Sequence, residues 1–522
     1  MMKHTGGELC SGSTPIVLGP PNQFGFELKE DGLGESGSTV RVRAAACSAP
    51  AMCLSAAGGK LALAPCDQPS AVFMRVPLQN LARLKTDEGG AAGSCTTAVD
   101  CGLNGRCAAG VCRCKTWWRG PHCQFLNLAP ARSLDDGLKL PKISTWGASA
   151  LWDDGLLHVF TAEMANHCGI KSFQANSFCS HFAATSPEGP FHRVGVIQDV
   201  MCHNPTMTRL KNGTWLLFHI NGHAAVQPPR INCTDGSTPA PPRDSAEMRA
   251  APDVTTSVLA AETLDGPWRN VRVPTFTSAG LPSSYLENPA PLPPHSIAGL
   301  PDDSDFPVCF CARDRYAGCP NSVCPSQLGM ARGKAAWDEG FTMDPKPICS
   351  GPGCGNGTIP DWRTLCEDPF YWIDGVDNTH HLLCNGKDCP ATVLPGDWHQ
   401  KQTNKTCHRD PAACGWWPGV TAGKPFNCNG NGMHAYSQDG VDWRFWADDT
   451  AYNTSVQLTN GSVAQLGRRE RPHILFNQHG VPTHFWTAVI SDAGHAPGHP
   501  PASDRSWSFV QAFAPQRVPE DG

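Results

Sequence analysis

The chain has little charge, few tyrosines and no long apolar run. Only 17% of its 522 residues are charged, and the formal net charge is −6. No basic run occurs, which argues against nucleic acid as a partner, since a phosphate backbone demands clustered Lys and Arg. No apolar stretch is long enough to cross a bilayer, so no membrane span is expected in this chain. Helical periodicity is nearly absent. Walker-type phosphate loops, His–Cys zinc clusters and Cys–His catalytic contexts are missing too, so neither a cofactor nor a metal is expected. Five tyrosines stand against 16 tryptophans. Coding bias can produce that ratio, and it is no signature by itself.

What is abundant is cysteine, glycine and proline: 26, 52 and 47 residues. An even and large number of cysteines points to an oxidising compartment and a disulfide framework. Six Asn-x-Ser/Thr triplets, at Asn212, Asn232, Asn356, Asn404, Asn453 and Asn460, agree as glycosylation acceptors. Together they predict an extracellular or secretory-pathway protein. The N-terminal MMKHTGGELCSGSTP has no apolar core of signal-peptide length. The expectation is that a targeting segment or anchor lies outside this sequence.

The main organising feature is a repeat. LCEDPFYWIDGVDNTHHLLCN at 365–385 reads as an acidic pair before proline, a strand, a turn and a second strand. Proline pushes its predecessor towards extended backbone, so Asp368 is expected to be extended, at the mouth of a strand. The same order recurs in HNPTMTRLKNGTWLLFHI from His203, in ENPAPLP from Glu287 running on to PVCFCARD, and in ERPHILFNQHGVPTHFWTAV from Glu470. A version without the acid, WGASALWDDGLLHVFTAE, starts at Trp146, where Asp153 and Asp154 before Gly155 read as a turn. Turns of recurring form follow in TSPEGPFHRV, TLDGPWRNV and YSQDGVDWRF. Five copies of a few strands each predict an all-β fold with a five-bladed propeller over 141–516. A β-sandwich would leave the recurring acid-x-Pro opening unexplained. The Cys-dense stretch from Cys349 to Cys428 reads as a pinned insertion, and most of the 16 cysteines in this part are expected to pair within or between neighbouring blades.

Two smaller segments precede the repeat. Residues 1–90 hold Cys10, Cys47, Cys53 and Cys66, and MCLSAAGGKLALAPCDQPSAVFMRV resembles one repeat of the ricin-type β-trefoil lectins. That resemblance implies a Cys53–Cys66 bridge and leaves Cys10 with Cys47; a disulfide-pinned β-hairpin is the simpler expectation. Residues 91–126 carry Cys95, Cys101, Cys107, Cys112, Cys114 and Cys123 with Gly105 and WWRGPHC, a spacing that resembles an EGF-like module. Six cysteines allow fifteen pairings; the resemblance implies Cys95–Cys107, Cys101–Cys112 and Cys114–Cys123. The calcium-binding lead-in is absent before Cys95. Such a module serves as a rigid spacer, the favoured expectation, or as a contact for an extracellular protein.

In a propeller the innermost strands line a central funnel, and residues at their entrances converge. The repeat places Gly147, His203, Glu287 with Asn288, Glu367 with Asp368, and Glu470 with Arg471 and His473 around one axis. Converging carboxylates disfavour one another's ionisation, which suits a group that must donate a proton near neutral pH. The repeat resembles the five-bladed glycoside hydrolases that include arabinanases and β-xylosidases. Matched residue by residue, the resemblance makes Glu367 of EDP the general acid and Asn288 of ENP the place of an acid-tuning Asp. The general base falls at Gly147, where no acid stands. Inverting hydrolysis needs two carboxyls ~6.5–9.5 Å apart, so Glu287, Asp368 or Glu470 has to supply the second, and Glu470 of ERP also competes for the acid role. Trp146 and Trp152 offer stacking faces, and His203, Asn288, Arg471 and His473 are candidate contacts to sugar hydroxyls. The same funnel also fits a non-catalytic carbohydrate-binding or adhesion protein.

Overall fold

The computed structural model describes residues 95–222, 230–238, 254–271, 276–277, 286–301, 305–312, 327–333, 341–344, 348, 366–386, 431–445, 450–490 and 503–514, and the backbone of four short strands between residues 28 and 65. The chain divides into two compact units, Met1–Thr86 and Asp87–Gly522. In the first, Leu28–Glu30 pairs antiparallel with Val40–Val42, and Met52–Ala57 with Lys60–Pro65. The expected Cys53–Cys66 and Cys10–Cys47 bridges lie outside the described residues.

The second unit contains five antiparallel sheets, each opening on one of the five repeat copies. Blade one runs Thr145–Asp153, Leu156–Met164, Ser177–Ala184 and His192–Gln198. Blade two runs His203–Arg209, Trp215–Gly222, Val254–Ala261 and Arg269–Val271. Blade three begins at Leu286–Pro291, followed by Phe306–Ala312, Gln327–Gly333 and Phe341–Met343, with Phe276–Thr277 added in parallel at its rim. Blade four is Cys366–Ile373, His380–Gly386, Asn431–Ser437 and Trp443–Phe445. Blade five is Arg468–Phe476, Pro482–Ile490 and Ser506–Ala512, completed by Gly137–Leu138 from ahead of blade one. The two ends of the propeller are therefore hydrogen-bonded within one sheet. The first strand of each blade touches the first strands of its two neighbours, and the circuit closes from blade five to blade one. This is a five-bladed β-propeller.

Strand alternation explains why the blades are buried on both faces. In blade two, Leu216 and Phe218 join a cluster with Phe306, Phe310 and Phe341 of blade three, while Trp215 and Leu217 pack with Leu151 and Phe160 of blade one. Each such aliphatic or aromatic side chain contributes roughly 1.5–3 kcal/mol of burial. Asp154-Gly155 forms the two-residue turn of blade one, with both residues at positive φ. The recurring Gly turns join the third and fourth strands of blades one, two and four, with Gly189, Gly266 and Gly440 at φ 90°, 87° and 71°.

The expected bridges Cys95–Cys107, Cys101–Cys112 and Cys114–Cys123 are present. Cys179–Cys202 joins blade one to the start of blade two, and Cys168–Cys233 ties loops at the same end of the molecule. Cys384 is disulfide-bonded as well.

Candidate functional site at the blade entrances

Each blade opens on the same backbone irregularity. The pairing of first and second strands slips at Trp146/Ser149, His203/Thr206, Glu287/Ala290, Glu367/Phe370 and Glu470/His473. One residue inside each slip is left-handed: Gly147 at φ 69°, Asn204 at 51°, Asn288 at 53°, Asp368 at 57° and Arg471 at 55°. This corrects the expectation of extended backbone at Asp368. A β-bulge needs one residue the ladder does not pair, and Gly, Asn and Asp tolerate the left-handed region best. Arg471 does not share that tolerance, and a left-handed Arg costs about 1–2 kcal/mol. Its side chain shows what holds it there.

The five left-handed residues meet. The Asn204 Nδ2 amide donates to Asn288 Oδ1 at 2.6 Å. Arg471 donates from Nη1 to Asp368 Oδ1 at 3.3 Å and from Nη2 to the Asn204 carbonyl at 3.4 Å. A Cβ added to Gly147 would lie 3.2 Å from Arg471 Nε. Blade five thus sends a guanidinium over blade one, towards an acid of blade four and a carbonyl of blade two. All four non-glycine members are buried.

The residues one position earlier form a second tier: Trp146, His203, Glu287, Glu367 and Glu470. Four are buried, and Glu367 is half-exposed. Glu470 accepts from Arg468 at 2.5 Å, and the Arg468 guanidinium also lies over the Trp146 ring, 5.6 Å from its centroid. Burial alone would lower the Arg468 pKa, but Glu470, then Glu367 and Asp368, raise it above its ordinary value. One cation therefore sits in the field of three carboxylates from two blades. His203 is buried with Phe173 against its ring at 4.7 Å. Burial, aided by the Arg471 charge, pushes its pKa down to about 3, so the ring is neutral. Among the described residues, His203 Nδ1 and Asn204 Oδ1 are buried without a hydrogen-bond partner.

Of the residues singled out in the sequence, Glu367, Asp368, Glu470, Arg471, Asn288, His203 and Trp146 are linked by these contacts and charges. Glu287 is buried beside Asn288, opposite Cys311 in register. His473 is placed differently. Its Nε2 lies 3.1 Å from the Ala150 amide and 2.9 Å from the Ala150 carbonyl, and its ring packs edge-on against Phe370. Burial lowers its pKa to about 4. Trp152 lies near the far end of its strand, packed against an apolar cluster. Asn212, Asn232 and Asn460 are exposed and Asn453 is half-buried; Asn356 and Asn404 lie outside the described residues.

Sequence reading missed Arg468, Asn204 and Phe173. Asn204 was within reach, since HNP, ENP and EDP place it level with Asn288 and Asp368. Arg468 stands two residues before Glu470 on one strand face, the spacing that brings side chains together. Phe173 had no signal; the loop carrying it is tied down through Cys168–Cys233 and through Asn176, which bonds the backbone of Ala165 and Ile231.

A family model of the teneurin-like EGF domain matches residues 97–125. No curated protein matches the chain in sequence. Solved structures similar to it include a family 117 glycoside hydrolase of the marine bacterium Zobellia galactanivorans, with 13% identity, a TM-score of 0.40, and coverage of 75% of this chain and 91% of that one. A thermostable family 43 glycoside hydrolase shares 8% identity with a TM-score of 0.43, over 76% of this chain and 98% of its own. The catalytic domain of a family 62 α-L-arabinofuranosidase from Coprinopsis cinerea shares 10% identity with a TM-score of 0.42, over 74% and 96%. These likenesses bear on no residue of the site, and the propeller rests on the sheet order and closure above. The chain joins a teneurin-like EGF domain to a five-bladed β-propeller.

Proposed function

We propose that this is an extracellular glycan-directed protein that hydrolyses a glycosidic bond at the blade entrances. Glu367 is the general acid. The observation that carries this is its position: it is the one half-exposed glutamate among three that open blades, and it adjoins Asp368 and Arg468. Its proton passes to the glycosidic oxygen as the bond to the anomeric carbon breaks. A water attacks that carbon and gives its proton to a second carboxylate. Glu287, on the neighbouring blade, is the proposed base. Asp368, turned to Arg471, and Glu470, turned to Arg468, are the alternatives for that role. His203, Asn204 and Asn288 contact sugar hydroxyls, and Trp146 lines the wall. His473 serves packing instead.

A second reading has its own support. A Cβ at position 147 would crowd the Arg471 side chain, and the glycine there offers no carboxylate at the entrance of blade one. A funnel built that way suits glycan binding without turnover. Purified secreted protein should be screened against furanoside and pyranoside glycans for hydrolysis and binding. Turnover supports the enzyme, and saturable binding without turnover supports the lectin-like reading. Neither outcome would overturn both and leave adhesion as the remaining role.

A further inference from the structure

The EGF-like module does not stand clear of the propeller. Lys115 is buried and extends its Nζ to Asp374 Oδ2 at 2.9 Å and to Asp377 Oδ2 at 2.8 Å, both in the turn after the inner strand of blade four. Asn104, fully buried, lies 3.3 Å from His434 Nδ1. Tyr436 donates to the Val99 carbonyl at 3.2 Å, and Trp118 packs on the His434 ring at 4.6 Å. Cysteines of the module share one apolar cluster with Phe370, Trp372 and Leu383 of blade four and Ile474 and Phe485 of blade five.

The polar groups form a circuit with both ends on the module. Asp377 is a carboxylate and only accepts, so the Thr379 hydroxyl donates to it at 2.6 Å. That hydroxyl then accepts from His381 Nε2 at 2.8 Å. His381 Nδ1, now an acceptor, accepts a hydrogen bond from His434 Nε2 at 3.1 Å. His434 Nδ1 accepts from the Asn104 amide. The return runs from Asp377 through Lys115, whose backbone amide donates to the Asn104 carbonyl at 2.8 Å. A single tautomer at each histidine satisfies every link. Burial, with the Lys115 ammonium, keeps both rings neutral, His434 down to about 3. His381 also stacks on Trp372 at 5.1 Å, and Trp372 on Phe370 at 5.7 Å, two residues from Asp368.

We propose that the EGF-like module is a fixed part of blade four, in which Asn104 and Lys115 position the strand that carries Glu367 and Asp368. Buried hydrogen-bonded networks stiffen what they join, and this one spans the module and two strands of the blade, with Asn104 Oδ1 the one side-chain atom of the circuit left unpaired among the described residues. The module is then no free arm or spacer.

Native-state hydrogen exchange on the unaltered protein tests the first half. Amides of Gly105–Ala108 and Val111–Cys114 should lose protection at the same denaturant concentration as those of His380–Gly386, as one cooperative unit. Module amides that open at lower denaturant while blade four stays closed would overturn it. For the second half, Lys115→Met should speed exchange across Cys366–Ile373 about a hundredfold, because the buried Asp374 and the more exposed Asp377 lose their cation. Blade one should be unchanged, and Lys115→Arg should restore most of the protection. Equal acceleration in every blade, or an Arg variant no better than Met, would remove the positioning role. Both readouts are independent of glycan turnover.

Discussion

The inner strand of blade four has a polar cluster near each end, and the two are built differently. At the Asp374 end the EGF-like module closes a circuit from Asn104 through His434, His381, Thr379 and Asp377 to Lys115. At the Glu367 end, carboxylates and guanidiniums from different blades face one another, and His203 Nδ1 and Asn204 Oδ1 have no partner, as Asn104 Oδ1 has none at the other end. An unpaired buried polar group costs about 1–3 kcal/mol. Such atoms occur at both ends, so what distinguishes the Glu367 end is the convergence of charges from several blades. The closed cluster is read as architecture and the open one as a site.

The difference sets out four predictions. The largest concerns acid. His203 and His434 have pKa values near 3 and His473 near 4, all below the ordinary 6.5. Between those values the unfolded chain binds protons that the folded chain refuses. Their stabilisation is complete above pH 6.5 and is lost as pH falls towards 4, at about 1.4 kcal/mol per pH unit for each ring. Urea midpoints measured from pH 7 to pH 4 should fall steadily. A flat profile would mean that these rings are not buried neutral.

Next, Lys115→Met should destabilise the protein by about 3 kcal/mol, the low end of the cost of breaking a buried pair from one side, because Asp374 is buried and Asp377 is exposed. Combining it with Asp374→Asn and Asp377→Asn should recover much of the loss, because both partners are then neutral. Denaturant melts of the four-member series would show it, and strictly additive losses would contradict a closed circuit.

At the open end, Gly147→Ala should cost about 1–2 kcal/mol from the left-handed backbone, and its Cβ would crowd the Arg471 side chain. Asp368→Asn should change less in the Gly147→Ala background than in the native one, since the ion pair is already disturbed. Equal effects would separate Arg471 from position 147. The smallest effect belongs to the hairpin Ser455–Gln457/Val463–Gln465, where Asn460 is exposed. Asn460→Gln should shift stability by no more than ~0.5 kcal/mol and, where the sequon is used, reduce the mass by one glycan.

The open end was the more legible in sequence. Acid-x-Pro, Asn-Pro and the Gly of blade one all mark one bulge, and a bulge calls for a recognisable residue type at a fixed place. Five copies therefore announced both the propeller and its entrances. The EGF-like bridges were legible only through the resemblance to that module, since six cysteines alone allow fifteen pairings. What stayed hidden was the partnering. Lys115 and Asp374 are 259 residues apart, and in sequence each reads as an ordinary surface charge. Arg471 read as a sugar contact; that it lies over Gly147 and faces Asp368 depends on ring closure, which no local pattern encodes. The contacts of His473 were hidden for a related reason. It follows the bulge of blade five, and the slipped register turns it to the backbone of blade one.

The central claim is that Glu367 protonates a leaving group at the open end. The most direct measurement compares Glu367→Gln and Glu470→Gln on a natural glycan and on an activated aryl glycoside, whose leaving group needs little protonation. General acid catalysis contributes about 10²–10⁴-fold. The account predicts that Glu367→Gln slows the natural glycan by that factor and the aryl substrate far less, with Glu470→Gln lacking that split. The reverse pattern would move the acid to blade five, and unchanged rates in both variants would contradict a hydrolase altogether.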